Sequence, residues 1–279
     1  MRTDLGEGPI WSIERGELAI VDILERRILI LDPSSGDTAT IRAPAPVGAV
    51  AFRQVGGLVA ALEDGFWAFD GPTGWRSVAA VQPVGGDRRF NDGKCDPQGR
   101  FWAGTMAYDG SPGAGSLYRL DIDLSASAMV HGITTSNGLA WTRDGATMFY
   151  IDTPTHRIDA FEFDPAGGTI GGRRVAVDLA AFAGSPDGLT IDAEDGLWVA
   201  MWGGAAVHRF ADGRLDRTIR LPVSQPTSCT FGGPNLDELY ITSASYGLSD
   251  AALRAEPLAG SLFRTRPGVA GSSGVAFAG

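Results

Sequence analysis

A chain of 279 residues with 44% hydrophobic side chains can bury a sizeable core, since folds of about 300 residues hide roughly three quarters of their unfolded surface. Its net charge of −10 sets 33 acids against 23 bases, of which one alone is a lysine, Lys94. Without a basic cluster to neutralise phosphates, the chain is not expected to bind nucleic acid or an anionic membrane, and no apolar run approaches the ~18–20 residues that span a bilayer. The opening residues Met1-Arg2-Thr3-Asp4-Leu5-Gly6 have no apolar centre, so a cytoplasmic protein is expected, with Cys95 and Cys229 reduced and buried.

The predicted elements are nearly all strands, and they recur. Gly16 leads into Leu18–Asp22 and Ile28–Asp32; Gly57 into Leu58–Ala61 and Gly65–Asp70; Gly99 into Phe101–Gly104 and Ser116–Asp121. Asp144-Gly145 then precedes Met148–Asp152 and Ile158–Phe161. Asp195-Gly196 precedes Leu197–Ala200 and Val207–Phe210, and Asn235–Asp237 precedes Leu239–Thr242 and Ser261–Arg264. From Leu18 through Leu58, Phe101, Met148 and Leu197 to Leu239 the steps are 40, 43, 47, 49 and 42 residues. Strand groups at that period are propeller blades, each unable to bury both faces alone. An all-β, six-bladed β-propeller is therefore predicted, with residues 1–279 as a single domain. Helical signal is confined to Leu179–Ala183 and Ser249–Ala255, both read as connections.

Ten or eleven residues before the reference positions stand Glu7, Asn91, Asn137 and Asp187, each in a glycine-rich turn; the matching slots of blades two and six hold Gly48 and Ser228. If the blades are equivalent, these side chains converge at one mouth of the central channel. Two carboxylates and two amides make an oxygen-only site suited to Ca²⁺, Mg²⁺ or Mn²⁺; Zn²⁺ or Fe²⁺ could occupy it, though no imidazole or thiolate selects them. His131, His156 and His208 lack metal-ligand spacing, and no nucleophile elbow, Walker A loop or dinucleotide glycine run is present.

The segments Leu5-Gly6-Glu7-Gly8-Pro9-Ile10-Trp11, Arg89-Phe90-Asn91-Asp92-Gly93-Lys94, Gly104-Thr105-Met106, Ser136-Asn137-Gly138-Leu139-Ala140, Pro186-Asp187-Gly188, Trp202-Gly203-Gly204 and Pro226–Pro234 resemble the SMP-30/gluconolactonase (regucalcin-like) family across essentially the whole chain, closest to its bacterial sugar-lactonase branch. That resemblance implies a propeller with one divalent metal ion that hydrolyses a sugar lactone to the aldonic acid. Glu7, Asn137 and Asp187 match the family's metal ligands, Asn91 and Arg89 its substrate contacts, and Asp109 and Trp202 fall where relatives shape the sugar pocket. Relatives carry a further strand before the Gly-Glu-Gly-Pro turn, whereas six residues precede Glu7 here. Either the chain is shortened, or Gly274-Val275-Ala276-Phe277 supplies the strand that closes the ring.

Asp187 is the expected general base, because a carboxylate can take a proton from water and the Asn137 amide cannot. The expected partner is a small sugar lactone such as glucono-, xylono- or arabinolactone, acted on by a monomer or weak oligomer. Two other readings share the same site: a non-catalytic calcium-binding propeller, and an esterase or phosphotriesterase.

Overall fold

The computed structural model describes residues 2–82 and 85–279. Among them the strands form six antiparallel sheets, five of four strands and one of three, each with spatial order following chain order. The first strands of the sheets are Gly6–Ser12, Val47–Phe52, Arg88–Cys95, Ser136–Trp141, Ser185–Ile191 and Pro226–Gly232. Each packs beside the first strand of the next sheet, and Pro226–Gly232 returns to Gly6–Ser12, closing a ring of six blades. The propeller expected from the repeat is present.

Burial explains which strands the sequence announced. First strands are buried on both faces, as in Val47–Phe52 and Ser136–Trp141, where every residue is buried. Outermost strands are largely exposed, as in Thr38–Arg42 and Arg214–Arg220. The repeated apolar segments are the second and third strands, whose side chains fill the spaces between blades. Phe66 of blade two, for example, meets Phe90 and Phe101 of blade three at centroid distances of 5.2 and 5.8 Å, contacts that add about 0.5–1.5 kcal/mol per pair beyond area burial. The last repeat begins late, as Phe263–Thr265. Ser249 caps a short helix, Asp250–Ala255, by accepting from Ala252 N, whereas Leu179–Ala183 forms only a turn.

Two blades carry a matched polar clasp at the lower end, where the first strand turns into the second. In blade three, Asp96 accepts from Arg100 Nε at 2.6 Å and Trp102 Nε1 at 3.0 Å. In blade five, Asp192 accepts from Arg209 Nε at 2.7 Å and Trp198 Nε1 at 2.8 Å. Each aspartate also receives two backbone N–H groups of its own turn, so all four acceptor positions are used and the buried charge is paired.

Ring closure differs from the expectation. Arg2 and Leu5 bridge to Ser261 and Ala244, and Thr3 N donates to Gly260 O at 2.9 Å, so the N-terminal segment lies along blade six. Gly274–Phe277 adds no closing strand. It crosses the lower mouth, where Phe277 N donates to Phe52 O at 2.8 Å and Ala278 N to Gly99 O at 2.9 Å. No helix among the described residues is long and apolar enough to cross a membrane.

Candidate metal and substrate site at the upper mouth

The four polar slot residues lie in the leading halves of their first strands, and pairing slips beside each of them. The irregularities fall between Glu7 and Ile10, opposite Phe90–Asp92, between Asn137 and Leu139, and between Pro186 and Leu189. Blades two and six slip at the same slot, between Val47 and Ala49 and between Pro226 and Cys229. A bulge rotates one side chain out of the regular alternation, which turns the slot toward the axis in every blade. The neighbouring glycines serve close packing more than turning. A Cβ on Gly188 would collide with Ser228, and one on Gly138 would stand 2.7 Å from Leu189 N. Neither glycine has positive φ, so the Asn-Gly and Asp-Gly pairs read from sequence as turns are strand residues at inter-blade contacts.

Glu7, Arg89, Asn91, Asp92, Asn137 and Asp187 are all buried. The Glu7 carboxyl is pushed well above its ordinary range, first by burial and then by the charges of Asp187 and Asp92. Asp187 is raised likewise, by burial and then by Asp92, while the nearby Asn137 and Glu7 side chains partly offset the rise. Among the described residues, no ion pair within 4.0 Å engages Glu7, Asp92 or Asp187. No cationic side chain stands at short range to hold these acids ionised, so a proton or a bound cation is what relieves their mutual repulsion.

The Asn137 amide shows where a cation would enter. Its Nδ2 donates to Thr153 Oγ1 at 2.9 Å, and Thr153 Oγ1 donates its single proton to Pro186 O at 2.9 Å. The threonine can only accept from Asn137, so the amide orientation is determined, and Asn137 Oδ1 is left buried with no hydrogen-bond partner. An orphaned carbonyl oxygen beside two uncompensated carboxylates fits a hard divalent cation. No three His, Cys, Asp or Glu side chains group as a metal site among the described residues; the oxygen donors that a cation here could draw on include the Glu7 and Asp187 carboxyls and this amide.

Asn91 is fixed differently. Arg89 Nη1 donates to Asn91 Oδ1 at 2.7 Å and to Phe90 O at 3.0 Å, and Asn91 Nδ2 donates to Ser136 O at 2.8 Å. Aspartates at the ends of second strands hold the approaches to two slots. Asp22 accepts from the Asp4 and Leu5 N–H groups, and Asp152 from those of Thr134 and Thr135. Donation from backbone N–H groups to a buried carboxylate resists displacement of the Glu7 and Asn137 segments.

The family model for the SMP-30/gluconolactonase/LRE-like region matches residues 5–245. The chain belongs to that family. It is 40% identical to regucalcin of Gallus gallus over 291 residues, covering all of this chain and 96% of the relative. It is 36% identical to the Bacillus subtilis (strain 168) protein named "Putative sugar lactone lactonase YvrE", again over all of this chain and 96% of the relative. Among solved structures, a calcium-binding protein, regucalcin, from Agrobacterium tumefaciens superposes with a TM-score of 0.95 at 30% identity, covering 99% of this chain and 95% of that one. A luciferin-regenerating enzyme superposes at 0.93 with 33% identity, covering 99% and 96%.

Within this member of the family, Glu7, Asn137 and Asp187 come together, with Arg89 and Asn91 close beside them. Asp109 does not join them: it is exposed in the loop after Ala107, and its carboxylate accepts from Ser111 N at 2.9 Å. Trp202 is half-buried at the upper end of its strand, paired with Ser185 two residues before Asp187. The histidines have other places: His131 shares a hydrogen bond with Ser116, His156 ends the turn Thr153–Thr155, and His208 packs on Phe182. Both cysteines are free and buried, and burial raises both thiols.

Several participants were not singled out from sequence. Asp92, pushed up to about 6 by burial despite the opposing Lys94 charge, lies below the slot ring and acts electrostatically on Glu7 and Asp187. Thr153 fixes Asn137. Tyr108 and Tyr246 are exposed, yet near enough to Arg89 to act on its charge. Asp92 could have been found as the acid following a slot residue; Thr153, contributed by a different segment, had no local signal.

Proposed function

We propose that the chain hydrolyses a sugar lactone to the open-chain aldonic acid at this upper mouth, with one divalent cation held by Glu7, Asn137 and Asp187. The observation that carries the reading is the orphaned Asn137 Oδ1 beside two buried carboxylates that no ion pair within 4.0 Å neutralises. Sugar-lactonase and regucalcin names among the relatives support it. A bound divalent ion would supply Lewis acidity toward a carbonyl oxygen, worth several kcal/mol as charge develops there. Oxygen-only donors suit Ca²⁺, Mg²⁺ or Mn²⁺.

The chain's own groups supply the rest. Asp187 accepts a proton from the attacking water, a transfer that adds on the order of 10² to 10⁴ in rate. Glu7 balances the positive charge. Arg89 and Asn91 hold sugar hydroxyls: their mutual hydrogen bond and the Asn91–Ser136 contact lock both before substrate arrives, which lowers the ordering cost on binding. Trp202 shapes the apolar side of the entrance.

The test is a pH-stat screen of glucono-, xylono- and arabinolactone against a simple aryl ester, using stripped protein and protein reloaded with each divalent ion. Lactone turnover should vanish on chelation and return with the ion, with the aryl ester slow throughout. Turnover that survives verified metal removal overturns the proposal. Calcium binding without turnover of any lactone would instead support the non-catalytic reading.

A further inference from the structure

The same six strands that begin at the slot ring end around a second cavity, of about 620 Å³, at the lower mouth. Three residues after each slot stand Ile10, Ala51, Lys94, Ala140, Thr190 and Phe231, and all six line it. Trp11 and Trp141, whose indoles are mostly buried between blades against Tyr240 and against Trp102 and Phe163, also border it, and residues 272–276 of the C-terminal segment form the floor. That floor is tied at its ends and not between them. Gly271 N donates to Leu236 O at 2.8 Å and Phe277 N to Phe52 O at 2.8 Å, while no backbone hydrogen bond ties Ser272–Ala276 to the body among the described residues. The volume falls within the ~300–1,000 Å³ usual for small-molecule sites, and a strap anchored only at its ends can move to admit a molecule.

Charge defines what the cavity would take. Lys94, the only lysine, lines it and makes one hydrogen bond, Nζ to Leu189 O at 2.8 Å, with no ion pair within 4.0 Å among the described residues. An ammonium has three donors, so two of them lack a protein acceptor. We propose that the lower mouth is a second small-molecule site, separate from the upper one, which takes a flat aromatic acid with its anionic group toward Lys94 and its ring against the apolar residues of the wall. Glu14 and Arg143 also line the cavity but are exposed, which leaves half-buried Lys94 as its inner charge; apolar walls with such a polar group divide affinity from orientation. This inference does not depend on lactone hydrolysis.

Titration of the intact protein with 2-naphthoate and its neutral analogue 2-naphthamide, read by calorimetry and ligand-observed NMR, tests it. Wild-type protein should bind naphthoate saturably, with a dissociation constant on the order of 1 mM or tighter for so small a ligand. Ala276→Phe fills the floor and should weaken both probes at least tenfold; Ser272→Phe does the same from the neighbouring turn of the strap, should the first variant fail to fold. Lys94→Met should weaken naphthoate about tenfold and leave naphthamide unchanged, and Asp187→Asn should change neither. Absence of saturable binding overturns the proposal, as does binding indifferent to the floor and lysine variants or abolished by Asp187→Asn.

Discussion

Asp187 and Asp192 stand five residues apart on one stretch of blade five, both are buried, and they are opposites. Burial alone would raise Asp192, but hydrogen bonds from Arg209, Trp198 and the Gly196 and Glu194 backbone N–H groups outweigh it and hold the carboxyl below its ordinary range. Asp187 has only the Asn137 and Glu7 side chains to offset its burial, and burial with the nearby Asp92 charge carries it the other way. The chain can satisfy a buried carboxylate completely when it serves structure. Leaving one unsatisfied, beside Glu7 and the orphaned Asn137 oxygen, reserves it for something that binds.

The largest effect expected from breaking that contrast is on catalysis. Asp187→Asn should cut lactone hydrolysis by about 10² to 10⁴, while the metal-free protein unfolds at an unchanged or higher denaturant midpoint, because one of three repelling buried acids, Glu7, Asp92 and Asp187, is gone. A fall in stability comparable to the loss of a structural ion pair would place Asp187 with Asp192 instead. The companion substitution, Asp192→Asn, should do the reverse. Whichever way the new amide is turned, its NH₂ faces donors, either Arg209 Nε and Trp198 Nε1 or the backbone pair. Breaking a buried pair from one side costs about 3–5 kcal/mol, to be read from urea unfolding, and turnover per folded molecule should persist.

A smaller effect sharpens the upper site. Thr153→Val removes the hydroxyl that accepts from Asn137 and donates to Pro186 O. The amide is then free to turn, and divalent-ion affinity measured by calorimetry should fall about 10–100-fold, as for other supports of metal ligands. Equal affinity would mean that the Asn137 orientation is set by something else.

Much of this was legible in the chain itself. The period of the second and third strands predicted the blades because those strands alternate between packed faces and carry bulky side chains at fixed spacing. Glu7, Asn91, Asn137 and Asp187 were legible because each precedes a short-range repeat by the same interval, and a bulge in each first strand converts shared register into shared direction. Long-range facts were not. Thr153 reaches Asn137 from the far end of the next strand, the N-terminal residues join blade six, and Gly274–Phe277, one of two ways considered for closing the ring, floors the channel. Asp109 followed loop position alone, and in the fold its carboxylate is turned into its own turn. The Asp-x₅-Trp clasp at Asp96 and Asp192 was visible as a spacing, but its meaning lay in arginines that arrive from different places, Arg100 from the turn itself and Arg209 from the third strand of its blade.

The pH dependence of the clasp is the most delicate of these effects. A carboxyl whose folded pKa is depressed binds fewer protons in the folded state than in the unfolded chain, so stability rises with pH between the two values. The stabilisation that separates wild type from Asp192→Asn should therefore be complete above the unfolded value, about 3.9. It should shrink as pH falls below that point and disappear once the folded carboxyl is itself protonated. Urea midpoints of the two proteins collected from pH 6 down to about pH 2 should converge at the acid end. A gap that stayed constant through that range would show that the Asp192 hydrogen bonds, not its charge, carry the clasp, and that the contrast with Asp187 is one of donors alone.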